Sequence, residues 1–505
     1  TQKTSLDYIN SLKMYHVEDY MMLDATTQRN LELLTNIRGI SKKGTLVSVL
    51  DNTITSMGSR MLKSWILRPL IDIKQINLRL EAVQELVKKS FERQDLRDLL
   101  RNVQDVERLI SRVNYGNANA RDLISLKKSL EIIPKINSQV SELKSYLINK
   151  KLDEFDDIKS LLDTSIKDEP AYTLRDGNII KKGYNEELDE LHDISHGGKD
   201  WIAKMQSEER TKTGINSLKV GYNKVFGYYI EVSNANKSLV PENYIRKQTL
   251  VNGERYITPE LKEQESLILN AQDKINELEY ELFIEVIEKI KFNTKNLQSL
   301  ANDLATLDVL LSFANISVNN NYCKPTLSDE NYLIICDGRH PVVEQIEKMY
   351  VPNDVLLDEK KRIMIITGPN MSGKSTVMRQ VALIQLMAQI GCFVPASSAV
   401  LGVVDKIFTR VGAHDDLTMG QSTFMVEMNE TANILNNATD KSLVILDEIG
   451  RGTSTFDGIS IAWATAEHIA QSINSKTLFA THYHQLNKLS EKYSQIKNFN
   501  IGVKE

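Results

Sequence analysis

Cysteine is nearly absent from the 505 residues: the sequence holds three, Cys323, Cys336 and Cys392. Three cannot build a disulfide framework, and their spacing fits no zinc pattern, so a reducing compartment is the natural reading. Proline (10) and glycine (23) are also scarce, which points to much helix. No excess of positive charge is present. Sixty-two basic side chains face 67 acidic ones, a net −5, so any site for a polyanion must be local. Long charge-free runs are few. One, Gln380 to Val404, is long enough to span a bilayer. It is interrupted by Gln385, Gln389, Gly391, Pro395, Ser397 and Ser398, so it reads as a buried helix followed by a buried strand. Hydrophobic residues at 41% and charged residues at 26% exclude wholesale disorder. The sequence opens at Thr1 without a basic-then-apolar leader and stops at Glu505. It reads as an internal piece of a longer protein.

A chain of this length predicts about three domains. Residues 1–20 have no clear period and read as the end of a preceding, connecting domain. From 21 to 198 the pattern is mostly helical: Leu31, Leu34, Val47 and Leu50, then Met61, Leu62, Trp65 and Ile66, recur at spacings of three and four. Pro69 is expected to end a helix. Between 213 and 257, Val220, Tyr222, Val225, Tyr228, Ile230 and Val232 partly alternate between Gly- and Asn-rich breaks, a small β-rich insert. Residues 211–255 carry seven basic and three acidic side chains, net +4, so the insert is a basic island. From Pro259 to about Leu311 helix returns, with Leu261, Ile268, Ile275 and Leu282 at heptad spacing. A continuous helix there would be about 75 Å long, the length of a lever. Residues 321–505 alternate short apolar runs (IMIITG, DKIFTRV, SLVILDE, KTLFATH) with helical patterns, which predicts an α/β domain with a largely parallel sheet.

The chemistry concentrates in that last part. Gly368-Pro369-Asn370-Met371-Ser372-Gly373-Lys374-Ser375 fits the phosphate-loop pattern, follows a strand and precedes a helix beginning near Thr376. Such a loop turns backbone N–H groups toward phosphate at a helix N-terminus. Lys374 adds a positive charge near the β- and γ-phosphates and Ser375 can ligate Mg²⁺. The strand from Ser442 ends in Asp447 and Glu448. Asp447 is placed to hold Mg²⁺ and Glu448 to polarise an attacking water. The strand from Thr477 ends in His482, which either senses the γ-phosphate or water, or is a solvent-capped strand end. Met419-Gly420-Gln421-Ser422 opens a further helix, a second anion-binding N-terminus that one nucleotide does not require. It suggests that Ser422 reaches a nucleotide held by another subunit.

These four elements are those of ATP-binding-cassette ATPases. The segments GPNMSGKST, FTRVGAHDDLTMGQSTFMVEM, LDEIGRGTSTFDG and FATHYHQL, with LDATTQRNLEL, GSRMLKSWILRPL, GYNEELDEL, FGYYIEVS, ERYITPELKE and DGRHPVVE outside or at the edge of the ATPase, resemble the MutS family of DNA mismatch-repair ATPases over nearly the whole chain. The resemblance implies a multidomain fold: core and lever helices over 21–198 and 258–320, a clamp over 199–257 and an ABC-type ATPase over 321–505. It implies ATP and Mg²⁺ as cofactors, with Gly368 to Thr376 holding the nucleotide and Tyr350 stacking on adenine. Asn370 would join Lys374 at the γ-phosphate, and Glu448 and His482 would handle the water. Ser422 would face ATP on the other subunit of a homodimer, and the loop Gly450 to Thr455 would couple the two sites. The clamp would grip double-stranded, mismatched DNA by its backbone, with Lys219, Lys224, Lys237, Arg246 and Lys247 as candidates.

By the same resemblance a MutL-type factor acts downstream, no membrane is involved, and the location is cytoplasmic and nucleoid-associated, of bacterial type. The family's Phe-x-Glu wedge domain and helical dimerisation segment are expected to lie outside this sequence. The Phe-x-Glu at Phe283 to Glu285 is read as core packing. The reading is therefore a DNA-dependent ATP hydrolase of mismatch repair that couples ATP binding to clamp closure and sliding. Its alternative is a wedge-less relative acting as a clamp on recombination intermediates. A transporter motor is disfavoured by the long insert, and a dead scaffold by the presence of Lys374, Ser375, Asp447 and Glu448.

Overall fold

The computed structural model describes residues 17–37, 41, 43–223, 225, 227–347, 349–369, 372–412 and 423–502. The chain divides into two compact units, one of residues 1–105, 132–153 and 299–505, the other of 106–131 and 154–298.

The first unit contains the α/β region. A six-stranded sheet runs in the order Met22–Leu23, Lys406–Val411, Leu443–Asp447, Lys476–Ala480, Ile363–Thr367, Ile496–Asn500, with every neighbouring pair parallel. The strands Ile363–Thr367, Leu443–Asp447 and Lys476–Ala480 are buried at every position. That is why the sequence shows continuous apolar runs there rather than alternation. Val444, Leu446, Phe479 and Ile365 form a core with Ala462, Ala466 and Ile469 of the covering helix region. A second, mixed sheet joins Thr326–Ser328, Ser398–Gly402, Leu333–Gly338 and Asn353–Leu357.

The charge-free stretch is the expected helix and strand: Lys374–Gln389, buried throughout from Gln380, then Ser398–Gly402. Its glutamines are buried with partners. Gln389 donates to Leu70 O at 2.8 Å and Val404 O at 3.0 Å and accepts from Val404 N–H at 2.9 Å. Gln385 donates to Gly402 O at 3.0 Å, so the buried amides are largely compensated. No helix among the described residues is long and apolar enough to cross a membrane. The helix Ser56–Leu67 stops at Arg68, just before Pro69, as expected.

In the second unit, the helices Glu186–Thr213 and Pro259–Phe292 pack on each other. Position 199 lies inside the first of these helices. An antiparallel sheet, in the order Lys219–Asn223, Gly227–Ser233, Gly253–Ile257, Ile245–Thr249, forms the β-rich insert. Ile230, Val232 and Tyr256 from this sheet meet Ile202, Met205, Leu261 and Ile268 from the helices. The heptad positions Leu261, Ile268, Ile275 and Leu282 are all buried, as is Phe283, which bears out the reading of Phe283 as core.

The expected continuous 50-residue helix is not found. Pro259–Phe292 ends at Asn293, whose φ of −95° and ψ of 8° leave the helical region, and Thr294–Asn319 follows as a separate helix. Asn293 satisfies its N–H on Ile290 O at 2.9 Å, and Thr294 donates its hydroxyl to Asn114 Oδ1 at 2.9 Å. Asn and Thr both favour helix ends because their side chains compete for backbone partners. The 34 residues of the first helix reach about 50 Å.

Candidate functional site

The loop from Gly368 to Gly373 connects the strand Ile363–Thr367 to the helix Lys374–Gln389. Gly373 caps that helix at φ +89°, in the left-handed region that glycine tolerates best. Gly368 has φ +154°, and a Cβ there would press on Ile501 O and Ser372 Oγ. Lys374 is 5% exposed, and its Nζ donates to Gly368 O at 2.9 Å and Pro369 O at 2.7 Å. The ammonium is thus held over the loop, at the positive end of the helix. Ser375 and Thr376 follow Lys374 in the first turn of the helix, and Asn370 and Met371 lie outside the described residues.

Asp447 closes the strand Leu443–Asp447, which is separated from the loop's own strand by Lys476–Ala480. Burial pushes its carboxyl above the ordinary range, and the Ser375 hydroxyl, Arg379 and Lys374 pull it back. Its Oδ1 is buried without a hydrogen-bond partner among the described residues. An anionic oxygen orphaned beside a serine hydroxyl suits a hard cation that takes oxygen ligands, and Mg²⁺ fits that donor set.

Glu448 follows at φ +56°. Its Oε1 lies 2.7 Å from His482 Nε2 and its Oε2 2.5 Å from Arg451 Nη1. The two residues expected to share one water are therefore in direct contact, and His482 is not merely a solvent-capped strand end. Ser422 lies outside the described residues. The helix after it starts at Thr423 and carries Glu427, which is 1% exposed and accepts the Gly450 N–H through Oε1. Gly450 opens the loop through Thr455 that was expected to couple sites. Sequence reasoning missed Glu427, because an acid in a helix ordinarily reads as a solvated face.

Tyr350 is half-buried and donates its hydroxyl to Gln380 Oε1 at 2.7 Å, and burial pushes its phenol up to about 12. His340 was also missed as an individual residue, although it sits in DGRHPVVE. It is buried, accepts the Val342 and Val343 N–H groups at 3.3 Å through Nδ1, and is pushed down to about 4 by burial and by the Arg379 guanidinium.

The basic sheet of the second unit distributes its charges unevenly. Lys237 Nζ lies 2.9 Å and Arg246 Nη1 3.4 Å from the same Glu254 Oε1. Glu254 is buried and also accepts from Tyr256 Oη at 2.5 Å. Arg255 pairs with Glu231 at 3.0 Å and lies 4.0 Å from the centre of the Tyr229 ring. Lys219 and Lys247 are exposed, with no ion-pair partner among the described residues. Lys247 occupies the register shift between Arg246 and Gln248, and such a bulge re-aims a side chain. Lys224 lies outside the described residues.

Comparison with known proteins gives two family matches: residues 26–314 with MutS domain III and residues 364–505 with MutS domain V. Over its full length the chain is 55% identical to the DNA mismatch repair protein MutS of Caldanaerobacter subterraneus, covering 58% of that protein. It is 54% identical to the protein of that name in Halothermothrix orenii, covering 57%. It is 52% identical to the one in Methanosarcina barkeri, again covering 57%. The chain therefore spans somewhat more than half the length of these relatives.

Proposed function

The chain belongs to the MutS family, and from that premise we propose that it is the ATP-hydrolysing, duplex-gripping part of a DNA mismatch repair protein. The observation that carries the proposal is the meeting of Glu448 and His482 at 2.7 Å, next in sequence to Asp447 with its partnerless Oδ1. This supports an ABC-type P-loop ATPase.

Each residue then has a task in the reaction. The turn from Gly368 to Gly373 and the start of the helix at Lys374 cradle the phosphates of ATP through backbone N–H groups. The Lys374 ammonium, released from Gly368 O and Pro369 O, follows the negative charge of the β- and γ-phosphates. Asp447 and Ser375 would hold Mg²⁺, which when bound neutralises phosphate charge. Glu448 orients water in line with the γ-phosphate and accepts its proton, and His482 fixes the orientation of the Glu448 carboxylate. Tyr350 covers the base, its ring held in place by the bond to Gln380. Asn370 assists at the γ-phosphate. Ser422 reaches the nucleotide of a second copy, so that ATP is shared in a homodimer.

The sheet Lys219–Ile257 serves as the clamp. Lys219 and Lys247 make its strongest backbone contacts, Lys237 and Arg246 contribute less because Glu254 already engages them, and Lys224 belongs to the same set. ATP binding closes the clamp on DNA and hydrolysis resets it, and a MutL-type factor reads the closed state. The relatives' printed name, DNA mismatch repair protein MutS, supports mismatch repair over the recombination clamp.

Replacing Glu448 by Ala tests the site. Turnover is expected to fall about 10²- to 10⁴-fold, the range for losing a general base, with ADP and ATP affinity retained. Unchanged turnover would remove Glu448 from its role.

A further inference from the structure

Gly450 lies two residues after Glu448, and three groups grip it. Glu427 Oε1 accepts its N–H. Tyr483 Oη donates to its carbonyl at 3.0 Å. Its α-carbon, at φ +89°, abuts the Gly458 backbone so closely that a Cβ on either glycine would overlap the other. The grip joins elements far apart in sequence. Glu427 comes from the helix that begins at Thr423. Tyr483 directly follows His482, and Gly458 is in the helix Thr455–His468.

Glu427 is itself anchored. Its Oε2 lies 3.5 Å from Arg410 Nη2, and Arg410 is 3% exposed. Arg410 also pairs with Glu430 at 3.2 Å and donates to Gly412 O at 2.8 Å. The Glu427 charge is felt at Tyr483, where after burial it is the next largest influence raising the phenol.

We infer that Glu427 and Tyr483 are positioning residues for the Glu448–His482 pair, acting through the Gly450 peptide rather than by touching nucleotide. The inference rests on the proposed hydrolytic role of that pair and deepens it. Besides its own N–H bond to Ala480 O, the left-handed backbone of Glu448 and its bond to His482 depend on the peptide two residues on being fixed. Tyr483 fixes that peptide from the His482 side and Glu427 from the helix at Thr423. A shift of this helix therefore reaches the water-handling groups before it reaches the phosphate loop. The arrangement makes hydrolysis, more than nucleotide binding, depend on how the helix at Thr423 is seated.

The test compares Tyr483→Phe, Glu427→Ala, Glu427→Gln and Glu448→Ala in the 505-residue chain, with Mg–ATP turnover and ADP binding as readouts. Tyr483→Phe and Glu427→Ala are expected to lower kcat about 10- to 100-fold, the cost of slight misplacement, with KM and the ADP Kd within about twofold. Glu427→Gln keeps an acceptor for the Gly450 N–H and is expected to recover most of the loss. A variant combining Tyr483→Phe with Glu427→Ala is expected to be no worse than the less active of the two singles, since both act on one peptide. Unchanged kcat in Tyr483→Phe, or kcat and ADP affinity lost together, overturns the inference. Should Glu427→Ala fail to fold, with Arg410 left short of one of its two acidic partners, Tyr483→Phe decides alone. A dead Glu448→Ala beside a fully active Tyr483→Phe sinks this inference and leaves the ATPase reading standing. A parent chain without turnover sinks both.

Discussion

Glu448 occupies a backbone region, φ +56°, that a side chain with a Cβ enters at a cost of about 1 kcal/mol or more. It is kept there by His482, Arg451 and the bond from its own N–H to Ala480 O at 3.0 Å. Strain at the residue next to a buried carboxylate with one partnerless oxygen marks the candidate site as strongly as any motif. His340 makes a second residue-scale statement, this one testable by pH. Its folded-state value of about 4 lies below the ordinary 6.5. The unfolded chain therefore takes up a proton in that window that the folded chain refuses, and stability falls as pH drops from 6.5 toward 4. The shift corresponds to about 3 kcal/mol. In His340→Asn, whose Oδ1 can take over the two backbone bonds, thermal unfolding midpoints are expected to fall less across that range. Equal slopes would deny His340 this part. Lys374, Ser375, Asp447 and Glu448 were legible in the sequence as candidates, because phosphate chemistry calls for Lys-Ser after a glycine-bounded turn and for acids at the end of a buried strand. Glu427 was not, because nothing in one sequence shows that an acid five residues into a helix faces a backbone N–H.

At the scale of elements, charge counting found the basic sheet but could not tell free charges from paired ones. Glu254 is a buried carboxylate with two cationic partners, and the hydrogen bond from Tyr256, then Lys237 and least Arg246, hold its carboxyl below the usual range. Each free phosphate contact contributes a salt slope of about 0.9. Lys247→Ala or Lys219→Ala is therefore expected to reduce the slope of log K for duplex binding by about 0.9. Lys237→Ala should reduce it less, since Lys237 must first leave Glu254. Equal slopes for all three, measured by titration at several salt concentrations, would contradict the ranking. The heptad pattern located the helix Pro259–Phe292 and its buried face, since apolar spacing is what burial selects. It missed the break at Asn293, where a single polar residue ends one helix without disturbing the apolar period around it. Phe283→Ala is expected to cost about 3–5 kcal/mol of stability, as for a buried phenylalanine. A loss below 1 kcal/mol would remove Phe283 from the core.

On the scale of the molecule, the alternation of strand and helix after 321 announced a parallel sheet, and the sheet is parallel through all six strands. The sequence did not announce that Met22–Leu23 and Ile496–Asn500 complete its edges. A two-residue strand from the far end of the chain has no period of its own and is created by pairing alone. The proposal joins a nucleotide site in one compact unit to a basic sheet in the other. Linkage then requires that whatever ATP does to DNA affinity, DNA does equally to ATP affinity. Steady-state ATP turnover by the 505-residue chain, with and without duplex DNA at about 50 mM and about 200 mM salt, tests that union most directly. The account predicts hydrolysis whose rate changes severalfold with duplex at low salt, a change that shrinks at high salt while the DNA-free rate holds. A rate indifferent to duplex at both salt concentrations would contradict it.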